Sequence, residues 1–299
     1  MPELPEVETI ARTLGPQIRG KRICGVEVLL PKALQHGAER IPLLAGAKIE
    51  EVSRRAKLLL VTVRPEQSTP ALLEEKEGGS TAAVPEPEII LAFHLKMTGS
   101  FFVHPPNTPP LKHTRLIFDL EDGGRLFFDD TRTFGYCRIM YPHELPLWPF
   151  WAGLGPEPLG MPPEALAAHF ARSFARRRCP VKNALLDQSV VAGVGNIYAD
   201  ESLFLAGILP IAKADRIPEP KLLRLAQALQ SVLRQSIDEC GSSVRDYRDA
   251  LGNAGAFQNS FAVYGRKNEN CRTCGEPLQS CRIAGRATVY CPVCQSGEA

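Results

Sequence analysis

Four cysteines near the C-terminal end carry metal-ligand spacing: Cys271 and Cys274, sixteen residues, then Cys291 and Cys294. This fits the C-x2-C-x15–20-C-x2-C zinc pattern, in which each pair sits on a short turn and the intervening residues form a hairpin. Four thiolates close a tetrahedron and leave no position for water, so the ion, one structural Zn2+, would shape the chain and perform no chemistry. Two redox C-x-x-C pairs are the alternative, and the paired spacing argues against them. Cys281 falls inside the loop as a fifth cysteine, a spectator or a competing, oxidisable thiol. Arg282 and Arg286 lie between the pairs, with Arg266 and Lys267 just before them. A rigid hairpin bearing arginines suits phosphate contacts, although a solvated basic face would have the same composition.

A second reactive group stands at the other end, MPELPEVETI. A small residue at position two lets the initiator methionine be removed, so the mature chain is expected to start at Pro2. Its nitrogen is then a secondary amine with a pKa of about 7.7–8.0. Such amines add to carbonyl-like carbons. The alternative is a proline that only restricts φ at a helix start. A third feature is SVVAGVGN, which ends where a helix begins; free N–H groups and the positive dipole end favour an anion there. Gly193 and Gly195 allow close backbone approach. GVGNIY lacks a third glycine and a preceding strand, which argues against a dinucleotide fingerprint.

The elements that must position these groups are readable in outline. Leu4, Val7, Ile10, Leu14 and Ile18 recur at helical spacing behind the terminus. VEVLL, LLLVTV, IILAF, RLIFDL and RLFFD read as strands, the last two as a hairpin closed by EDGG. After about Leu145 the texture changes. LPLWPFWAGLGPEPLG reads as an aperiodic linker; PPEALAAHFARSFARR, VKNALLDQ, IYADESLFLAG and PKLLRLAQALQSVLRQSIDEC read as helices. The expected division is 1–145 β-rich, 146–160 linker, 161–263 helical, and 264–299 cysteine-rich.

With 44% apolar and 23% charged residues, the 299-residue chain reads as globular, of two or more domains. No apolar run reaches membrane-span length and no signal pattern opens the chain, so a cytoplasmic protein is expected. The net charge of +2 hides a division. Positions 64–88 hold six glutamates against Arg64 and Lys76, a balance of −4, which leaves +6 on the rest. A mildly basic body with one acidic insertion permits a nucleic-acid partner without requiring one. The insertion, about 65–88, is expected to be a mobile loop lying away from any polyanion.

Taken together, PELPEVE, SRRAKLLL, HLKMTGS, DDTRTFG, LGPEPL, DQSVVAGVGNIYADESLF and VYGR…GRATVYCPVCQ resemble the formamidopyrimidine-DNA glycosylase family, in the family's order from residue 2 to residue 295. The resemblance implies an α+β multidomain fold: an N-terminal β-sandwich with flanking helices, a helix-two-turn-helix domain and a C-terminal four-cysteine zinc finger. It implies a bifunctional glycosylase and abasic-site lyase acting, as a monomer, on double-stranded DNA with oxidised purines or abasic sites, with no organic cofactor and no membrane partner. Pro2 is the implied nucleophile, Glu3 the general acid or base, Lys57 a proton donor in β-elimination and a lesion contact, and Arg286 a δ-elimination donor and phosphate contact. A guanidinium with a pKa above 12 is a poor donor, so the phosphate role is preferred for Arg286. Met97, Arg132 and Phe134 match the family's void-filling trio; His113, beside Lys112, and Lys182 and Asn196 match DNA contacts. The related endonuclease VIII enzymes have glycine where this chain has Leu4, which favours the purine-lesion branch. A pyrimidine-lesion glycosylase, a non-catalytic zinc-ribbon DNA-binding protein and an amino-terminal-proline tautomerase are the alternatives. The last lacks any finger.

Overall fold

A computed structural model describes residues 2–66, 88–244 and 246–295. The acidic insertion lies outside the described residues except at its ends. Helix α1 (Leu4–Ile18) leads into β1 (Ile23–Val28), β2 (Leu34–His36), the single-turn helix α2 (Ile41–Leu44), β3 (Lys48–Arg55) and β4 (Leu58–Arg64). Strands β5 (Ile89–His94), β6 (Gly99–His104), β7 (Thr114–Leu120), β8 (Arg125–Asp130) and β9 (Tyr136–Met140) follow. They form two sheets, a four-stranded one of order β1-β7-β8-β6 and a five-stranded one of order β2-β9-β5-β4-β3. All neighbours are antiparallel except β2 and β9. The core between them is packed by α1 residues Val7, Ile10 and Leu14 with Phe93, Phe101, Phe118 and Phe128.

The stretch read as an aperiodic linker is more ordered than its composition suggests. It carries a 3-10 turn over Pro142–Leu147 and the one-turn helix α3 (Pro149–Ala152). Trp148 and Phe150 pack with Leu58, Leu60 and Tyr136 on the outer face of the five-stranded sheet. Prolines suppressed the helical periodicity here, but the aromatic side chains still had apolar surface to cover.

Helices α4 (Pro163–Phe174), α5 (Val181–Leu186), α6 (Asn196–Leu205) and α7 (Glu219–Asp238) form a second core. Leu4 belongs to that helical core, whereas Val7 onward belongs to the sandwich core. The first turn of α1 is therefore inserted where the two cores meet. The chain ends in the hairpin β10 (Gln279–Ile283) and β11 (Arg286–Tyr290), turned at Ala284–Gly285, both with positive φ.

Candidate active site

The head of α1 is built around buried carboxylates. Glu3 caps the helix, and its backbone N–H donates to Glu6 Oε2 at 2.8 Å, a capping box with glutamate in the usual Ser/Thr position. Glu6 Oε1 accepts from the Tyr198 hydroxyl, from Ser242 N at 2.9 Å and from Ser242 Oγ at 3.0 Å. The head is also pinned from the helical side: Leu4 N donates to Gly193 O at 3.1 Å, and Ile197 N donates to Glu3 Oε1 at 3.3 Å. The glycines of GVGN leave the necessary space. A Cβ on Gly193, which has φ +83°, would lie 2.7 Å from Leu4, and one on Gly195 would lie 2.3 Å from Glu3 Cδ.

Lys57 stands, buried, in the two-residue turn between β3 and β4. Its Nζ donates to Val194 O at 2.9 Å. Burial pushes the Lys57 amine below the usual lysine range and Arg286 adds to that, while Glu3 and Glu6 oppose it. Burial likewise pushes Glu3 above the usual carboxylate range, helped by Glu6 and opposed by Lys57. Both groups are thus held toward their neutral forms, which suits exchange of a proton between them and a bound molecule. Glu3 Oε2 is buried with no hydrogen-bond partner.

Pro2, Glu6, Met97, Arg132, Asn196 and Arg286 share the wall of a cavity of about 590 Å³, joined by Ser242, Val244, Asp246, Tyr247 and Arg248. Met97 sits in the turn between β5 and β6; Arg132 and Phe134 sit in the turn after β8. Arg132 Nη1 donates to Met97 Sδ at 2.8 Å, and its guanidinium lies 4.9 Å from the Phe134 ring centre. Met97 is 36% and Phe134 53% exposed, so neither is core packing. Asp130, missed in the sequence, ties the two turns: it accepts from Thr98 Oγ1, from Arg132 N at 3.2 Å and from Gly135 N at 2.6 Å.

Asn196 opens α6 and donates through Nδ2 to Ala287 O at 3.1 Å; its Oδ1 is buried without a partner. Arg286 is exposed at the start of β11. His113 is half-buried against Arg115, 3.3 Å from its guanidinium, and lies outside the cavity wall.

Lys182 lies behind the hairpin. Its side chain has no exposed surface, and its Nζ pairs with Asp200 Oδ1 at 2.7 Å and donates to Thr288 Oγ1 at 2.7 Å. Its third contact is the Ala287 carbonyl, at 3.3 Å. The residue fastens β11 to α5 and α6. Burial pushes Asp200 up to about 7 against the pull of Lys182. Arg266, near the finger, is likewise occupied, bonding Ala262 O, Asn270 O and Glu269.

Glu6, Asp200 and Glu201 were not anticipated as members of this framework. Glu201 accepts from three successive N–H groups, Ala262, Val263 and Tyr264, at 2.7 to 3.0 Å. Only Glu6 left a readable signal, its i+3 spacing from Glu3.

The sulfurs of Cys271, Cys274, Cys291 and Cys294 all lie within 4.8 Å of one another. Cys271 and Cys294 approach to 3.8 Å, and Cys274 and Cys291 to 3.4 Å. Metal–sulfur bonds of about 2.3 Å at tetrahedral angles require separations of about 3.8 Å, so the four residues fit a metal ion. Thr273 N and Cys294 N donate to Cys271 Sγ and Cys291 Sγ, as amides do to thiolates. Cys281, on β10, is not part of the group.

Comparison with known proteins agrees with this geometry. The profile of the formamidopyrimidine-DNA glycosylase N-terminal domain matches residues 1–137, and that of the family's H2TH domain matches residues 154–248. A formamidopyrimidine-DNA glycosylase of Nitratidesulfovibrio vulgaris is 45% identical over 99% of this chain and 100% of its own. Among solved structures, wild-type Lactococcus lactis Fpg bound to N7-benzyl-Fapy-dG DNA superposes with a TM-score of 0.83 at 31% identity, covering 99% of this chain and 100% of that one. The Lactococcus lactis Fpg complex with abasic-site DNA gives 0.82 at 31% identity, with the same coverage. Whole-length identity, both domain profiles and the shared fold show that this chain belongs to the formamidopyrimidine-DNA glycosylase family.

Proposed function

We propose that the chain excises oxidised purines, formamidopyrimidines and 8-oxoguanine, from duplex DNA and then cuts the strand at the resulting site. The observation that carries this reading is the setting of Pro2. It lies at the junction of the two cores, on the wall of the 590 Å³ cavity, with Arg286 and Asn196 on the same wall. Once the initiator methionine is gone, the Pro2 nitrogen attacks C1′ of the damaged nucleotide and the base departs. The Glu3 carboxyl, held toward its protonated form, gives a proton to the sugar-ring oxygen as the ring opens. The resulting iminium ion has no N–H proton to lose, so its charge acidifies C2′. Loss of a C2′ proton expels the 3′ phosphate, with Lys57 Nζ serving the proton transfer of that step; a second elimination expels the 5′ phosphate, and water then hydrolyses the iminium to free the sugar residue and restore Pro2. Arg286 clamps phosphate from the exposed tip of the hairpin. Asn196 adds an amide contact at the head of α6, where the helix dipole favours an anion.

The extruded base leaves a gap in the stack, and Met97, Arg132 and Phe134 form a pre-assembled wedge for it. His113 is read as a backbone contact at the flank. The four-cysteine group is read as holding one structural Zn2+, which locks the turns of the finger so that Arg286 is presented rigidly. The N-terminal sheets with α1 form the catalytic domain, the helices the helix-two-turn-helix domain. Among the described residues no helix is long and apolar enough to cross a membrane. The enzyme is read as a monomer working on cytoplasmic DNA.

Borohydride trapping tests the reading. Duplexes carrying 8-oxoguanine should give a covalent complex that a Pro2→Gly protein forms far more slowly, and thymine glycol should be a poorer substrate. A cut without any trappable link, or a preference for thymine glycol, would overturn it.

A further inference from the structure

The lysine assigned to the elimination step stands in an unusual place. Arg55 and Leu58 are paired at the ends of β3 and β4, so Ala56 and Lys57 are the whole turn. Ala56 has φ +54°, in the left-handed region that an alanine rarely adopts. Strain of this kind persists only where surrounding contacts over-determine it. Here the contacts come from one carboxylate 101 residues away. Glu157 Oε1 accepts the Ala56 N–H at 2.6 Å and Arg55 Nη1 at 2.8 Å, and Oε2 accepts Arg54 Nη1 at 2.8 Å. Arg54 Nη1 also donates to Ala56 O at 3.1 Å, so both backbone polar groups of the strained residue are engaged.

The segment holding Glu157 also grips the far side of the lysine. Gly155 N donates to Gln188 O at 2.8 Å, and Ala192 N donates to Pro156 O at 3.0 Å. Arg55 Nη2 returns to Gly155 O at 2.7 Å. Residues 155–157 thus lace the β3–β4 turn to the 188–194 loop, whose Val194 carbonyl receives Lys57 Nζ.

We infer that Glu157 is a positioning residue for Lys57: its carboxylate holds Ala56 in the left-handed geometry from which the next residue, Lys57, delivers its amine to the Val194 carbonyl. The inference rests on Lys57 serving the elimination step, as proposed above. Glu157 touches no reacting atom. It acts through the turn.

The test uses the full-length protein on duplex DNA with a single abasic site, under single-turnover conditions, with Lys57→Ala, Glu157→Gln, Ala56→Gly and Ala56→Gly/Glu157→Gln proteins. A lysine misplaced by about 1 Å costs up to about 100-fold in rate. Glu157→Gln should therefore slow β-elimination about 30- to 100-fold, while formation of the borohydride-trapped Pro2 adduct stays within about threefold. Glycine adopts positive φ freely. In the Ala56→Gly background the same Glu157 substitution should accordingly cost less than about fivefold. Equal losses in both backgrounds would overturn the inference, as would trapping and elimination falling together with the unfolding temperature. Wild-type elimination by Glu157→Gln beside a crippled Lys57→Ala protein would overturn it alone. Wild-type elimination by Lys57→Ala would instead remove the role given to Lys57, and this inference with it.

Discussion

Replacing Gly195 by alanine isolates the contact between the GVGN loop and Glu3. Gly195 has φ −134°, which any L-residue adopts, so the substitution acts through space rather than through the backbone. The new methyl would stand 2.3 Å from Glu3 Cδ and 2.4 and 2.6 Å from its two oxygens. Carbon atoms pack at about 3.5–4.0 Å, so the carboxyl must retreat by more than about 1 Å. That retreat breaks the bond from Ile197 N to Glu3 Oε1, already long at 3.3 Å. An acid moved about 1 Å from its working position loses up to about 100-fold in rate, or about 2.7 kcal/mol of barrier. Overpacking a full site costs about 1–3 kcal/mol of stability. Single-turnover excision of 8-oxoguanine reads the first figure and urea unfolding the second. Gly15→Ala is the control, because its nearest neighbour, Val52 Cβ, stays at an ordinary 3.7 Å. If Gly195→Ala excised within about threefold of wild type at unchanged stability, the proposed constraint on Glu3 would be wrong.

The Lys182 ion pair separates a structural lysine from a DNA-binding one. Lys182→Ala should cost about 3–5 kcal/mol in urea unfolding by stranding Asp200, yet leave the salt dependence of DNA binding unaltered. Arg286→Ala should instead reduce that slope by about one, measured by fluorescence anisotropy across a salt series. His94, whose Nδ1 accepts the Lys96 N–H at 3.1 Å, is held down to about 3 by burial and by Lys96 and Lys57. Its folded value lies below its unfolded one, so the unfolded chain binds the proton first. Its contribution is full above about pH 6.5 and drains away as pH falls toward 3, by up to about 1.4 kcal/mol per unit. Urea midpoints between pH 7 and pH 4.5 should accordingly fall less in a His94→Gln protein than in wild type. Titration with a mercurial thiol reagent and a metallochromic dye should release one zinc ion per chain and abolish DNA binding; Cys281→Ser should keep the zinc and Cys291→Ser should lose it.

Periodicity and spacing carried the framework well where one residue type has one job. The α1 stripe of Leu4, Val7, Ile10, Leu14 and Ile18 is wholly buried. The RLIFDL and RLFFD runs pair as the antiparallel β7 and β8. The four finger cysteines converge because few residue types bind metal and their loop lengths are constrained. Strands β3, β6 and β9 were not separated out, since KIEEVSRR, GSFFVH and YCRIM are short or rich in charge. The Lys182–Asp200 pair was not legible, because a lysine in a basic helix start looks the same whether or not a buried aspartate stands beside it.

What stayed hidden has a common cause. Glu3, Glu6, Glu157 and Glu201 each accept backbone N–H groups from segments 61 to 236 residues away. A backbone donor has no residue type, so no pairing of letters announces such a bond. The arrangement answers a problem peculiar to a DNA-binding site that needs a carboxylic acid. An exposed carboxylate would repel the phosphates that the proposed function assigns to Arg286 and Asn196. Each of these carboxyls is instead wholly or largely withdrawn from solvent and spent on a contact that fixes geometry: the α1 head, the lysine turn, the approach to the finger. Glu3 is the exception that matters. It keeps one oxygen unpaired and is pushed toward its protonated form by burial, which favours the acid role proposed for it. The oxygen that Glu3 leaves unpaired distinguishes it from Glu6, Glu157 and Glu201, whose two oxygens are all spent on fixed contacts.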